Sequence, residues 1–142
     1  MSSSTTAGGA PPPAELVAAA DRLVRAFATG DLDAYFESFA DDAVFVFHAT
    51  DRVLVSTDQY RELWQEWVRD DGFAVVSCRT SEQHWQVWED AAVLVHRVAT
   101  VSTSDGEEQA SDERESIVFA LRGGRWLAVH EHLSLHPAPG RS

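Results

Sequence analysis

The densest run of side chains able to do chemistry lies near the end of the chain, in His130-Glu131-His132-Leu133-Ser134-Leu135-His136. On a strand the two-residue period puts His130, His132, Ser134 and His136 on one face and Glu131 with Leu133 on the other. His130 and His132 would then stand ~6.6 Å apart along the strand, close enough to share a metal ion. Zinc or iron needs a third ligand, which only the remote His48, His84 and His96 could supply, so we expect no metal and read the histidines as packing or interface. Glu131 has two readings: a carboxylate paired to an arginine for structural reasons, or a general acid or base whose pKa is raised by an apolar wall. His48 closes a predicted strand, and an imidazole there would suit a base, although strict alternation turns it away from the face that Phe47 occupies. Cys78 is the only cysteine, which excludes an intrachain disulfide and Cys-rich metal sites and leaves it a packing role.

Three helices and a run of strands must position these groups. Leu16, Val17, Ala20, Leu23, Val24 and Phe27 recur at three- and four-residue steps from Ala14 to Thr29, and Gly30 stops that helix. Asp31 is placed to cap a short second helix carrying Tyr35, Phe36 and Phe39. A third, from about Thr57 to Val68 and capped by Thr57 or Asp58, puts Tyr60, Leu63, Trp64 and Trp67 on its apolar side. Strands are expected over 43–48, 73–80, 83–88, 91–103, 113–121 and 126–135, the last entered through a tight turn at Gly123-Gly124 and ended by Pro137 and Pro139. Helices first and strands afterwards, without β-α-β alternation, argue for an α+β fold: three N-terminal helices on a mainly antiparallel sheet of about six strands.

Residues 14–136 read as a single domain, preceded by an uncharged, Ser/Gly/Pro-rich leader over 1–13 that is expected to be disordered, and followed by a short tail over 137–142. A net charge of -12, from 23 acidic and 11 basic residues, repels nucleic-acid backbones and anionic membranes. The leader lacks the apolar stretch of a signal peptide, and no stretch approaches the roughly 20 apolar residues of a spanning helix. Together with the lone cysteine this suggests a cytoplasmic protein.

The segment RLVRAFATGDLDAYFESFADDA, residues 22–43, resembles the opening of the ketosteroid isomerase and SnoaL-like branch of the nuclear transport factor 2-like superfamily. The closing GGRWLAVHEHLS is similar to the end of the calcium/calmodulin-dependent protein kinase II association domain. The resemblance implies a cone with a pocket for a small molecule, on a scaffold that carries isomerases, cyclases, dehydratases, transport factors and oligomerisation hubs. Matched residue by residue, the isomerase tyrosine falls on Leu23, its general-base aspartate on Phe47 and its donor aspartate on Ile117, which disfavours classical steroid isomerisation. The same match turns Phe45, Phe47, Glu115, Ile117, Phe119, Val129, Glu131 and Leu133 inward, with Leu23, Phe27, Tyr35 and Trp64 completing the pocket. Arg97, in VLVHRVAT, matches a pocket arginine of the kinase domain and would join Glu115 and Glu131 in one network.

These assignments imply a cofactor-independent enzyme of isomerase, cyclase, dehydratase or lyase type, acting on a hydrophobic molecule with a carbonyl or carboxylate end. Arg97 would hold the oxygen and Glu131 would move the proton, with His48 as an alternative base. A non-catalytic ligand-binding or oligomerisation module is the second reading. Iota-type carbonic anhydrase ranks third, because that class carries His-His-Ser-Ser where this chain has His-Glu-His-Leu-Ser. A homodimer is expected through an outer sheet face carrying Leu94, His96, Ala128, His130 and His132.

Overall fold

The computed structural model describes residues 4–7 and 11–137. Helix α1 (Ala14–Thr29) buries Leu16, Ala20, Leu23 and Ala26, a stripe of three- and four-residue steps, and ends on Gly30 at φ 74°, a left-handed cap that glycine adopts without strain. Asp31 caps α2 (Leu32–Glu37) by accepting from Ala34 N–H at 3.2 Å, which sets Tyr35 and Phe36 into the core. Helix α3 (Thr57–Asp71) is capped one residue earlier than expected: Ser56 accepts from Gln59 N–H at 3.1 Å. The Thr57 hydroxyl instead donates to the Ala40 carbonyl at 2.6 Å and ties the helix to the sheet.

The sheet has six strands in the order β1-β3-β4-β5-β6-β2 and is strongly curved, with the helices in its concave side. Strands β3 (Ala74–Val87), β4 (Ala91–Ser104), β5 (Glu107–Arg122) and β6 (Arg125–Leu135) form an antiparallel meander, and β2 (Phe39–Phe47) closes one edge parallel to β6. Within the leader that was expected to lack structure, Ser4–Ala7 form β1, a short strand parallel to Gln83–Gln86 of β3. An open edge offers unpaired backbone groups, and β1 covers four positions of the 14-residue β3 edge. The rest of the leader expectation and the tail beyond Pro137 lie outside the described residues.

Two predicted strands, 73–80 and 83–88, are one. Strand β3 runs through a bulge between Ser81 and His84, where Glu82 takes φ 53°, so a local irregularity in the pattern reads falsely as a break. Asp105 and Gly106, both at positive φ, make a two-residue turn between β4 and β5, and pairing continues from Ser104 and Glu107. That turn lengthens β5 by six residues beyond its expected start.

The register overturns part of the predicted inward and outward assignment. A bulge in β6 pairs Val118 with His130 but Phe119 with Ala128, leaving Val129 as the extra residue. Ala128 therefore enters the core beside Glu131, and Val129 does not line the concave face. In β4, Ala92, Leu94, His96 and Val98 point inward as the cross-strand partners of β5, and Arg97 points out. Leu94, His96 and Ala128 thus leave the proposed outer face, where His130 and His132 remain.

Candidate functional site

Between the helices and the concave face lies a cavity of about 350 Å³. Its helical wall is aromatic: Phe27 from α1, Tyr35 from α2, and Tyr60 and Trp64 on successive turns of α3, joined by Trp67 and Phe73. The facing wall is hydroxylated, with Thr80, Thr100, Ser102 and Ser104 from β3 and β4. Leu23, Phe47 and Leu133, placed in the pocket by the family match, line it as well. Phe45, Ile117 and Phe119 do face inward, but they are fully buried in the packing beneath the cavity and do not line it.

The polar end is built on three adjacent strands. His96 of β4 stands opposite Glu115 of β5, and its Nε2 lies 2.6 Å from Glu115 Oε1. Glu131 of β6 is the direct partner of Ile117 and hydrogen-bonds Glu115. Both carboxyl groups are essentially removed from solvent, and two negative charges so close and so dry cannot coexist cheaply. Burial first, then the charge of Glu115, pushes Glu131 well above the ordinary carboxyl range. Burial also opposes ionisation of Glu115, but hydrogen bonds from Glu131 and His96 outweigh it and hold Glu115 low. The surroundings therefore favour the proton on Glu131 and the negative charge on Glu115. Glu131 Oε2 has no hydrogen-bond partner among the described residues, although it is buried and its side chain lines the cavity.

Above this pair the hydroxyls of Tyr35 and Tyr60 lie 3.0 Å apart. Burial and the nearby Glu131 raise both phenols, so they stay protonated and one hydroxyl hydrogen remains free for a ligand. At the mouth, β2 ends at Phe47 and the chain turns, so alternation no longer governs His48. Its side chain reaches the cavity rim and its Nε2 lies 2.5 Å from Glu113 Oε2. Glu131 is level with Phe45, three residues before His48, which separates the two ends by about 10 Å along the strand.

Arg97 is not part of this site. It forms a two-pronged pair with Asp112, at 2.9 Å from Nε and 2.5 Å from an Nη, and approaches Glu82 at 3.4 Å, all on the outer face. The match that placed it in a pocket is off by one residue from the alternation of β4. Three residues that the sequence reading did not assign to the site complete it. Tyr60 was legible only as one of an apolar stripe, His96 was turned outward, and Glu113 had no visible partner until His48 met it. Cys78 lines the cavity wall, and burial pushes its thiol up to about 11. His130 and His132 face away, their rings 6.4 Å apart. Among the described residues no three His, Cys, Asp or Glu side chains come together as metal ligands.

A family model described as the SnoaL-like domain matches residues 16–139, nearly the whole described chain. The chain belongs to the SnoaL-like family. Similar solved structures agree with this SnoaL-like cone. An NTF2-like protein of unknown function in nutrient uptake from Rhodospirillum rubrum is 26% identical with a TM-score of 0.74, covering 85% of this chain and 98% of its own. A ketosteroid isomerase-like protein from Erwinia carotovora is 20% identical at TM-score 0.72, over 88% of this chain and 96% of its own. A protein from Xanthomonas campestris named for the calcium/calmodulin-dependent protein kinase II association domain is 21% identical at TM-score 0.69, over 96% and 97%. The last two likenesses speak to fold alone. No curated protein matches the chain in sequence. Among the described residues no helix is long and apolar enough to cross a membrane.

Proposed function

We propose that this SnoaL-like domain is a cofactor-independent enzyme that moves a proton on a small hydrophobic molecule bearing a carbonyl group. The observation that carries the reading is Glu131: a buried, proton-holding carboxyl whose Oε2 lacks a partner and whose side chain lines an otherwise aromatic cavity. An unpaired buried polar atom is a standing cost that a bound polar group removes. The isomerase-type donor missing at Ile117 has a substitute on the neighbouring strand, since Glu131 is the residue paired with it.

The division of labour follows from the geometry. The free hydroxyl hydrogen of the Tyr35–Tyr60 pair binds a carbonyl oxygen and stabilises negative charge that grows on it. His48, oriented by Glu113 and reached by solvent, takes the proton from the carbon beside that carbonyl. Glu131, whose raised pKa brings it toward the working range of a general acid, supplies a proton elsewhere on the substrate. Removal and delivery at two carbons is an isomerisation, and delivery to a departing hydroxyl is a dehydration. After product leaves, solvent entering the cavity takes the proton from His48 and returns one to Glu131, whose side chain lines it.

The second reading is a non-catalytic ligand-binding or assembly module, favoured by the replacement of all three isomerase residues at Leu23, Phe47 and Ile117. Proton exchange separates the two. In D2O with a panel of apolar enolisable ketones followed by NMR, the wild type should wash deuterium into the position beside the carbonyl. His48→Ala should slow this exchange about a hundredfold or more, Glu131→Gln should slow deuterium delivery to the second position of an unsaturated ketone by a similar factor, and Arg97→Ala should leave both unchanged. Ketones that bind without exchanging would establish the binding module instead.

A further inference from the structure

The charge inventory of the cavity selects among hydrophobic ligands. Asp71, Glu113, Glu115 and Glu131 line it, and among the described residues no lysine or arginine does. The one basic side chain among the described lining residues, His48, is already bonded to Glu113. The arginine expected to receive a substrate carboxylate is on the other side of the sheet, spent on Asp112. A ligand carboxylate would enter an acidic protein, pass an acidic rim and find no counter-ion at either end.

Asp71 is the acidic group still open to a partner. It is the last residue of α3, four residues after Trp67, so the two side chains share one helix face. No cationic side chain of the described residues pairs with it. Beside it, Trp67 and Phe73 stand with ring centres 5.6 Å apart, and Phe73 meets Trp64 at 5.1 Å. A carboxylate next to two or three converging aromatic rings is the setting that attracts an organic cation, through charge and through the ring faces together. At the other end of the same helix Tyr60 feels the charge of Glu131, whose Oε2 is without a partner among the described residues, and the two ends are about 16 Å apart along the axis.

We propose that the cavity takes an amine-bearing ligand with a flat apolar body, its ammonium group seated between Asp71 and the rings of Trp67 and Phe73, and that it rejects carboxylates. The far end of that ligand meets Glu131 and the tyrosine pair, in which respect the inference rests on the reading of the site given above. It narrows the substrate class from hydrophobic carbonyl compounds in general to those that also carry a basic nitrogen.

Calorimetry with three probes of one body tests this: naphthylmethylamine, acetonaphthone and naphthoate. The amine should bind the wild type at least about tenfold more tightly than the carboxylate, with the neutral ketone between them. Asp71→Asn, which keeps the backbone carbonyl that accepts from Asp105 N–H, should erase most of the gap between amine and ketone. Raising the ionic strength should narrow the same gap in the wild type, a readout that needs no variant. Naphthoate binding as well as the amine, no amine binding, or a gap indifferent to both Asp71→Asn and salt would each overturn the proposal. The catalytic reading fails separately: an amine preference that survives Glu131→Gln, in a protein that exchanges no ketone protons, would uphold this inference and reject that one.

Discussion

Glu131 shows how one side chain's surroundings determine its protonation. Its carboxyl meets Glu115 in a dry strand-to-strand setting, so the folded protein holds a proton there that the unfolded chain releases above about pH 4.3. The sign of the pH effect follows. Between that ordinary value and the raised one, the folded state binds more protons than the unfolded state, and stability falls as pH rises. Glu115 acts in a different window, because its lowered pKa makes stability rise with pH only below about 4.3. Glu131→Gln keeps the shape and removes the titration. Melting curves at about pH 5 and about pH 8 should therefore show a larger loss for the wild type than for the variant. An equal loss in both would mean that the remaining acidic residues, and not Glu131, control the slope.

At the scale of the elements, the short helix α2 carries Tyr35 to the site, and its start depends on the Asp31 side chain bonded to Ala34 N–H. Asp31→Ala should cost about 1 kcal/mol in chemical denaturation, without changing the dependence on denaturant. Helices were readable because their stripes are unambiguous: Leu16, Ala20 and Leu23 allow one inward face only. The strands were not, because Val93, Val95 and Val101 on one side of β4 are as apolar as Ala92, Leu94 and Val98 on the other. A pattern apolar on both faces leaves the facing to register, and register depends on long-range pairing and bulges. Glu115 and Glu131 were found because their side of β5 and β6 alternates cleanly, whereas the single extra residue at Val129 was enough to send Ala128 to the wrong face. His48 escaped alternation because it sits just past the strand end, where the rule lapses.

At the scale of the whole molecule, no helix among the described residues covers the convex face of the sheet. His130 sits there between Val118 of β5 and Val44 of β2, and His132 between Ser116 and Val46. We propose that this face joins two copies of the chain, as a half-apolar sheet of identical composition can pair about a twofold axis. Partial burial and then its neighbour His132 already depress the His130 pKa, and an interface would remove further water from it. A depressed imidazole binds fewer protons in the assembled form, so association should weaken as pH falls below about 6.5. Light scattering should give a dimer at neutral pH that dissociates at mildly acidic pH and on His130→Asp. A monomer at neutral pH would remove the proposed interface.

The central claim is that the closed end of the cavity keeps its proton on Glu131. Carbon-13 NMR of the glutamate side-chain carboxyls, with the Glu131 resonance assigned from its disappearance in Glu131→Gln, measures this directly through a pH titration. The expected result is a Glu131 carboxyl that releases its proton at clearly higher pH than an ordinary glutamate, while Glu115 titrates below that ordinary range. A Glu131 midpoint at or below the ordinary value would contradict it.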